Sequence, residues 1–424
     1  MIIQKPRGTY DIYDKEYNLF EKINETFNIV SKVYNFKPIV TPIFELKDLF
    51  VRNIGSTTDI VTKEFYDFID KGGREMALRP EGTVSVIRSV VENKLYATNP
   101  LPLKLSYFGP MFRYERPQSG RNRQFWQLGA EFIGIKTIED QIEAILMCRT
   151  LLSSLGIEKW ELNINYIGGN ESRKKWIDSL KSYFSKYINE LSDDSKSRIN
   201  KNPLRILDDK VDGEKDFVKN AVKISEFLTD FEKEEWKLLQ ENLNSLKINY
   251  VLNDKLVRGL DYYNGFVFEF VSVSDKLKGQ STLIGGGKYS GLVSELNGPE
   301  LDCIGFAAGI ERLSIALDDE QKNIVFPTLD VYLAFVGNEN KNFLMLISNV
   351  LRASGISCEI NYEIQKLDKH FKNASKFNPK LILIFGNKEK ETETIIIKNQ
   401  KTLKEKRVKV NNLLKELKKQ LKGF

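Results

Sequence analysis

Apolar residues recur at alternating spacings of three and four from Tyr17 to Tyr34, through Phe20, Ile23, Phe27 and Val30. That period predicts an amphipathic helix. Pro38 and Pro42 are expected to end it and to lead into an extended segment, Ile39–Glu45. From Gly109 to Glu131 the pattern switches to period two on either side of a polar loop, which predicts a strand–loop–strand. Alternation puts Arg113 and Glu115 on one face of the first strand. On the returning strand Gln127 and Glu131 share a face with the small Gly129 between them. Polar side chains there interrupt what should be an apolar inner face. The loop Pro117–Arg123 pivots on Gly120, and the span carries four arginines, Arg113, Arg116, Arg121 and Arg123. Such a floor offers guanidinium groups to a phosphate and acceptors to a polar ligand. That reading is favoured over a solvated hairpin.

From 170 to about 249 the chain is rich in Lys, Glu, Ser and Asn, with helical spacing around Trp176, Leu180 and Phe184, then Phe227, Phe231 and Trp236. It reads as a helical insertion. After Ile324–Pro327 the order becomes strand, helix, strand, helix, strand. The strands are expected at Leu329–Val336, Ser357–Tyr362 and Leu381–Phe385, with short strands at Thr394–Lys398 and Lys406–Val410 and a lysine-rich helix at Asn411–Leu421. Alternation of this kind implies a small α/β domain with a largely parallel sheet. The expected division is 1–320 and 325–424.

A chain of 424 residues exceeds one hydrophobic core, so two or three domains are expected. Hydrophobic content of 41% and charged content of 29% describe an ordinary globular protein, and a net charge of +6 permits contact with a polyanion without demanding it. No apolar run approaches the ~20 residues of a membrane helix, and no signal-peptide pattern is present, so a cytoplasmic location is expected. Cys148, Cys303 and Cys358 lie far apart without metal-ligand spacing. The single histidine, His370, lies far from the arginine hairpin. Together these exclude a histidine-containing triad and a multi-histidine metal site. The chemistry of the hairpin must therefore need no histidine base. Attack by an amino-acid carboxylate on a phosphate fits, because the nucleophile is already anionic at neutral pH.

Four further segments carry candidate chemistry. Arg79-Pro80-Glu81-Gly82-Thr83 places a carboxylate and a hydroxyl after a polar loop. Leu256-Val257-Arg258-Gly259-Leu260-Asp261-Tyr262-Tyr263-Asn264 packs an arginine, an aspartate and two tyrosines into one turn. Leu283-Ile284-Gly285-Gly286-Gly287-Lys288-Tyr289-Ser290 has three glycines after a strand, which mark a bulge or a close approach to backbone. Gly305–Leu313 runs from small residues into a helix whose first turn presents Arg312.

In this order the segments resemble the class II aminoacyl-tRNA synthetases, in the form used by histidyl-tRNA synthetases. The likeness runs from Pro6-Arg7-Gly8-Thr9 to the C-terminal region. It implies an α+β class II catalytic domain on an antiparallel sheet, with a helical insertion and a C-terminal α/β anticodon-binding domain. The function it implies is a histidine–tRNA ligase, which uses ATP with Mg2+ as co-substrate, L-histidine and tRNA(His), and forms a homodimer through the helix and strand of motif 1. By resemblance, Glu81, Thr83, Gln127, Glu131, Arg258, Tyr262, Tyr263 and Tyr289 bind histidine. Arg113, Glu115, Arg121 and Arg312 bind ATP, and Arg113 and Arg258 act on the transferring phosphate. Arg116, Gln118 and Arg123 face the tRNA acceptor end, and no resident metal is implied. The family usually has arginine and aspartate where Lys288 and Ser290 stand. Two rival readings are a non-catalytic histidine-sensing paralogue and a class II synthetase for a different amino acid. The intact arginine set and the C-terminal region oppose the first. A chain with one histidine and scattered cysteines opposes the metal site that a threonyl enzyme would need.

Overall fold

The first helix runs Asp14–Val33 in the computed structural model, which describes residues 3–55, 58–207, 209, 211–277, 281–317 and 329–423. Its buried stripe is Ile23, Phe27 and Val30. The prolines do not end it. Asn35 turns left-handed at φ 63°, and the Asn35 and Phe36 N–H groups donate to the Lys32 and Ser31 carbonyls at 3.1 and 2.9 Å. This is the αL stop that a small polar residue tolerates.

The extended segment that follows is divided between two sheets. β1 (Lys37–Pro38) joins the main sheet, whereas β2 (Phe44–Leu46) forms a small sheet with β3 (Asp67–Ile69) and β4 (Glu75–Leu78). The main sheet contains in addition β5 (Leu103–Phe112), β6 (Gln124–Ile133), β7 (Trp160–Tyr166), β8 (Val251–Leu252), β9 (Tyr263–Ser272), β10 (Thr282–Tyr289) and β11 (Cys303–Gly309). Their spatial order is β1-β5-β6-β11-β10-β9-β7-β8. The six central strands are antiparallel, and the two-residue edges β1 and β8 pair in parallel.

Register decides what this sheet can hold. Tyr107, Gly129, Ala307, Gly285 and Glu269 stand in one line across β5, β6, β11, β10 and β9; Leu105, Glu131, Gly305, Gly287 and Val267 stand in the next. Directly opposed residues share a face, so small residues at the middle of both lines leave a trough. The opposite face carries Phe132, Phe306, Phe268 and Phe270, all buried, and helix Ile138–Ser154 packs against β11.

Between β7 and β8 the chain is helical, beginning with Asn170–Ser185 and ending with Asp230–Ser245. Trp176, Leu180 and Phe184 are buried as their spacing implies. Phe231, by contrast, is exposed, and the buried stripe of the last helix is Leu239 and Leu243. Lys288 and Ser290, where the chain departs from the family pattern, join this segment to the sheet. Lys288 Nζ lies 3.0 Å from Glu235 and 3.2 Å from Asp302, Ser290 donates to Asp302 at 2.5 Å, and the Tyr166 hydroxyl donates to Glu235. Register puts Lys288 on the face opposite the trough, and neither residue lines it.

The chain forms two compact units, Met1–Val325 and Phe326–Phe424. The change of pattern at Ile324–Pro327 falls outside the described residues. The second unit is a five-stranded sheet of β12 (Val331–Phe335), β13 (Cys358–Ile360), β14 (Leu381–Phe385), β15 (Thr394–Asn399) and β16 (Glu405–Lys409), in the order β13-β12-β14-β15-β16. It is mixed, and the expectation of a largely parallel sheet is corrected. β12 runs parallel to β13 and β14, but β14–β15 and β15–β16 are antiparallel. The connections after β14 and β15 are too short for the crossover that parallel strands require. His370, on helix Leu367–Phe377, is fully buried beside Phe335, with Gln365 Nε2 3.1 Å from its Nδ1.

Candidate active site

The trough is roofed into a cleft of about 170 Å³ whose walls include Glu81, Thr83, Arg113, Arg121, Gln127, Arg258, Tyr262, Tyr263 and Arg312. At one end the Glu81 carboxylate caps helix Thr83–Glu92, accepting the Thr83 and Val84 N–H groups at 2.7 and 2.8 Å. Burial pushes its pKa up, and the two backbone donors oppose that rise. Glu131 and Tyr289 lie beneath the cleft surface. Glu131 accepts hydrogen bonds from the Thr83 hydroxyl at 2.7 Å and the Tyr289 hydroxyl at 2.8 Å, and burial raises its pKa to about 8. Tyr107, which no sequence pattern singled out, is wedged alongside. A Cβ at Gly82 or Gly129 would overlap its ring, which is why both positions are glycine.

Gln127 presents a buried carbonyl oxygen to the cleft with no hydrogen-bond partner among the described residues. The Tyr262 and Tyr263 rings lie 4.6 Å apart, and burial lifts the Tyr263 hydroxyl to about 12, so it remains a proton donor at neutral pH.

The other end is lined by guanidinium groups. Arg113 and Glu115 do not lie on a strand: β5 stops at Phe112, and the Glu115 N–H folds back to the Arg113 carbonyl at 2.8 Å. Both nevertheless face the cleft. Arg113 Nε donates to the Pro80 carbonyl at 2.9 Å, and its guanidinium lies 5.2 Å from the Phe125 ring. Glu115 is ion-paired with Arg121. Arg312 donates to the Gly120 carbonyl at 3.3 Å and the Thr282 carbonyl at 3.1 Å, so the loop tip rests on it. Arg258 meets Glu269 and lies 5.7 Å from the centre of the Tyr263 ring. Asp261, its neighbour in sequence, takes no part in this wall. It bonds Asn202 at 3.2 Å on the side of the helical segment.

Of the loop residues, Arg116 and Gln118 are exposed. Arg123 does not project: its guanidinium lies 3.8 Å from the Tyr114 ring and its Nε donates to the Glu115 carbonyl at 3.2 Å. Glu269 and Glu311 went unread in the sequence, although Glu269 is a carboxylate within the apolar run Phe266–Val271. Glu311 accepts the Trp126 N–H at 2.9 Å and the Tyr10 hydroxyl, and so ties the chain start to the cleft. Among the described residues no group of three or more His, Cys, Asp or Glu could hold a metal ion.

The second unit has a broader, shallower depression of about 880 Å³, with Tyr332, Tyr362 and Phe377 beside Lys341 and Lys376. Lys341 Nζ lies 5.9 Å from the Tyr362 ring centre.

Residues 8–313 match the family model described as Histidyl-tRNA synthetase, and residues 330–420 match the one described as Anticodon binding domain. The chain is 55% identical to the histidine–tRNA ligase of Malacoplasma penetrans, over 99% of this chain and 98% of the relative. It is 48% identical to that of Ureaplasma parvum, over 93% and 94%. The crystal structure of apo histidyl-tRNA synthetase from S. aureus superimposes with a TM-score of 0.83 at 34% identity, covering 98% of this chain and all of that one.

Proposed function

Because this chain belongs to the histidyl-tRNA synthetase family, we propose that the arginine-walled cleft is where it activates histidine. The reaction is that of a histidine–tRNA ligase: ATP-dependent activation of L-histidine to histidyl-adenylate, then transfer to the 3′ end of tRNA(His). Full-length likeness to ligases favours this over a histidine-sensing paralogue or a different amino acid. In the first step a carboxylate oxygen of histidine bonds to the α-phosphorus. The bond to the bridging oxygen breaks, and pyrophosphate leaves with the electron pair.

The observation that carries the reading is the division of the cleft into a carboxylate end and a guanidinium end over one trough. Glu81 and the unpartnered Gln127 oxygen suit the substrate ammonium, with Thr83 beside them. Glu131, Tyr262, Tyr263 and Tyr289 surround the place of the imidazole. Its two ring nitrogens can then be met by a carboxylate and a hydroxyl. Arg113 and Arg258 act on the transferring phosphate, because fixed positive charge in a dry site stabilises developing anionic charge without reorganising. Arg312 and Arg121 hold the rest of ATP. Arginine suits these places because its planar fork both stacks and bonds. Glu115, already turned into the cleft, is placed for the adenine edge. Mg2+ arrives with ATP as part of the substrate. The carboxylates on this wall are already engaged by Arg121, Arg258 and the Trp126 N–H.

Arg116 and Gln118 reach for the acceptor end of the tRNA, and the aromatic and lysine depression of the second unit for its anticodon bases, where stacking and phosphate attraction combine. Arg123 serves by stiffening the loop. The site is expected in the cytoplasm, and among the described residues no helix is long and apolar enough to cross a membrane.

The test of the reaction is ATP–pyrophosphate exchange with histidine, threonine, proline and glycine in parallel. Exchange with histidine alone is expected; exchange dependent on another amino acid would overturn the specificity.

A homodimer is part of the same proposal. Apolar side chains are left exposed on the first helix (Ile29, Val33), on the segment after β1 (Val40 at 89% exposure) and on β2 and β3 (Phe44, Ile69). Exposed apolar side chains on this helix and the segments after it suit a protein interface where they adjoin. Sedimentation is expected to give twice the 48.9 kDa chain mass, and Val40→Asp to shift it toward the monomer. A wild-type chain sedimenting as a monomer at micromolar concentration would refute the dimer.

A further inference from the structure

Glu269 occupies the end of the line Tyr107–Gly129–Ala307–Gly285, on the face that forms the trough. Glutamate between Phe268 and Phe270 has no packing reason to be there, and one of its oxygens meets Arg258 Nη1. The other accepts the Thr282 hydroxyl at 3.0 Å. Thr282 reaches it because the pairing of β10 with β9 slips between Thr282 and Ile284. This bulge sets Thr282 opposite Val271, on the same face as Glu269. Bulges commonly re-aim a side chain beside an active site. The Thr282 carbonyl in turn accepts from Arg312 at 3.1 Å. One carboxylate and one threonine therefore link two of the guanidinium groups in the cleft. Gly285, directly across from Glu269, completes the seat: a Cβ there would overlap the Arg258 guanidinium.

We propose that Glu269 is a positioning residue that fixes Arg258 over Gly285 and, through Thr282, sets its separation from Arg312. The proposal rests on the assignment of Arg258 to the transferring phosphate. Two arginines that must meet one polyphosphate repel each other while the cleft is empty. A carboxylate between them holds the geometry before substrate arrives, so the arrangement need not be assembled during the reaction. The Glu269 charge also opposes the surrounding positive charge at Arg312.

The test uses the full chain with Glu269→Gln and Thr282→Val, each alone and combined with Arg258→Ala. Activation is followed by single-turnover adenylate formation and by exchange, and folding by thermal melts. Glu269→Gln is expected to lower kcat for activation about 10²-fold, the usual result of a small misplacement, while KM for histidine stays nearly unchanged. Thr282→Val should give a smaller loss of the same kind, and it carries the test by itself if Glu269→Gln does not fold. In the Arg258→Ala background the effect of either change should shrink several-fold, since the group being positioned is gone. An undiminished effect there, or wild-type kcat in both single variants, would overturn the proposal. The assignment of Arg258 fails separately, by a near-normal rate in Arg258→Ala alone.

Discussion

Arg258→Ala is expected to slow histidyl-adenylate formation by on the order of 10³-fold or more while the protein keeps its fold. When the histidine carboxylate approaches the α-phosphate, two anions are pressed together in a site with little water. At an effective dielectric near 20, a guanidinium about 4 Å away is worth roughly 4 kcal/mol. That one interaction accounts for a factor near 10³. Alanine leaves the space over Gly285 vacant and costs Glu269 one partner, but Glu269 keeps the Thr282 hydroxyl and the Tyr263 ring stays packed against Tyr262. Melting temperature and circular dichroism should therefore stay close to wild type while exchange collapses. Retention of a near-normal activation rate would remove Arg258 from the chemistry.

Glu131→Gln should damage histidine use selectively, lowering kcat/KM for histidine about 10²-fold, the scale of one hydrogen bond to a charged group, with KM for ATP little changed. Equal loss for both substrates would make Glu131 structural. The same residue gives the enzyme a pH signature. Burial holds its pKa at about 8, well above the usual carboxylate range, so the empty site carries a proton there at pH 7. If the ionised carboxylate is the form that accepts the imidazole N–H, histidine binding at pH 7 releases that proton, and KM for histidine falls as pH rises through about 8. Both effects should vanish in Glu131→Gln. For stability the sign is opposite. The folded state binds a proton that the unfolded chain loses at ordinary carboxylate pKa. Between those two values, stability from this group therefore declines as pH rises.

Part of this site was legible in local period, and the rest only through the resemblance carried by the order of its segments. The Gln127–Gly129–Glu131 alternation reads directly as a trough floor, and the small residues running into a helix locate Arg312 in its first turn, while its role comes from the resemblance. What escaped depended on pairing between distant strands. Tyr107 matters because register sets it against Gly129, and register is not written in either strand alone. Glu311 is held by Tyr10, 301 positions away. Asp261 shares a turn with Arg258 but bonds Asn202 instead, because a tight turn sends nearby side chains in different directions. The end of β5 before Arg113 and the antiparallel half of the second sheet were likewise decided by a local turn and by connection length. Neither leaves a mark in hydrophobic period.

His370 is the one histidine in these 424 residues, and it is sealed in the core of the second unit, remote in sequence from every residue of the cleft. These 424 residues therefore call for histidyl-tRNA, the product of the reaction, at a single position. When that aminoacyl-tRNA runs short, a ribosome translating this protein has a single place to wait. Over these residues, a shortage of that aminoacyl-tRNA acts on the synthesis of the catalyst that relieves it at one position only.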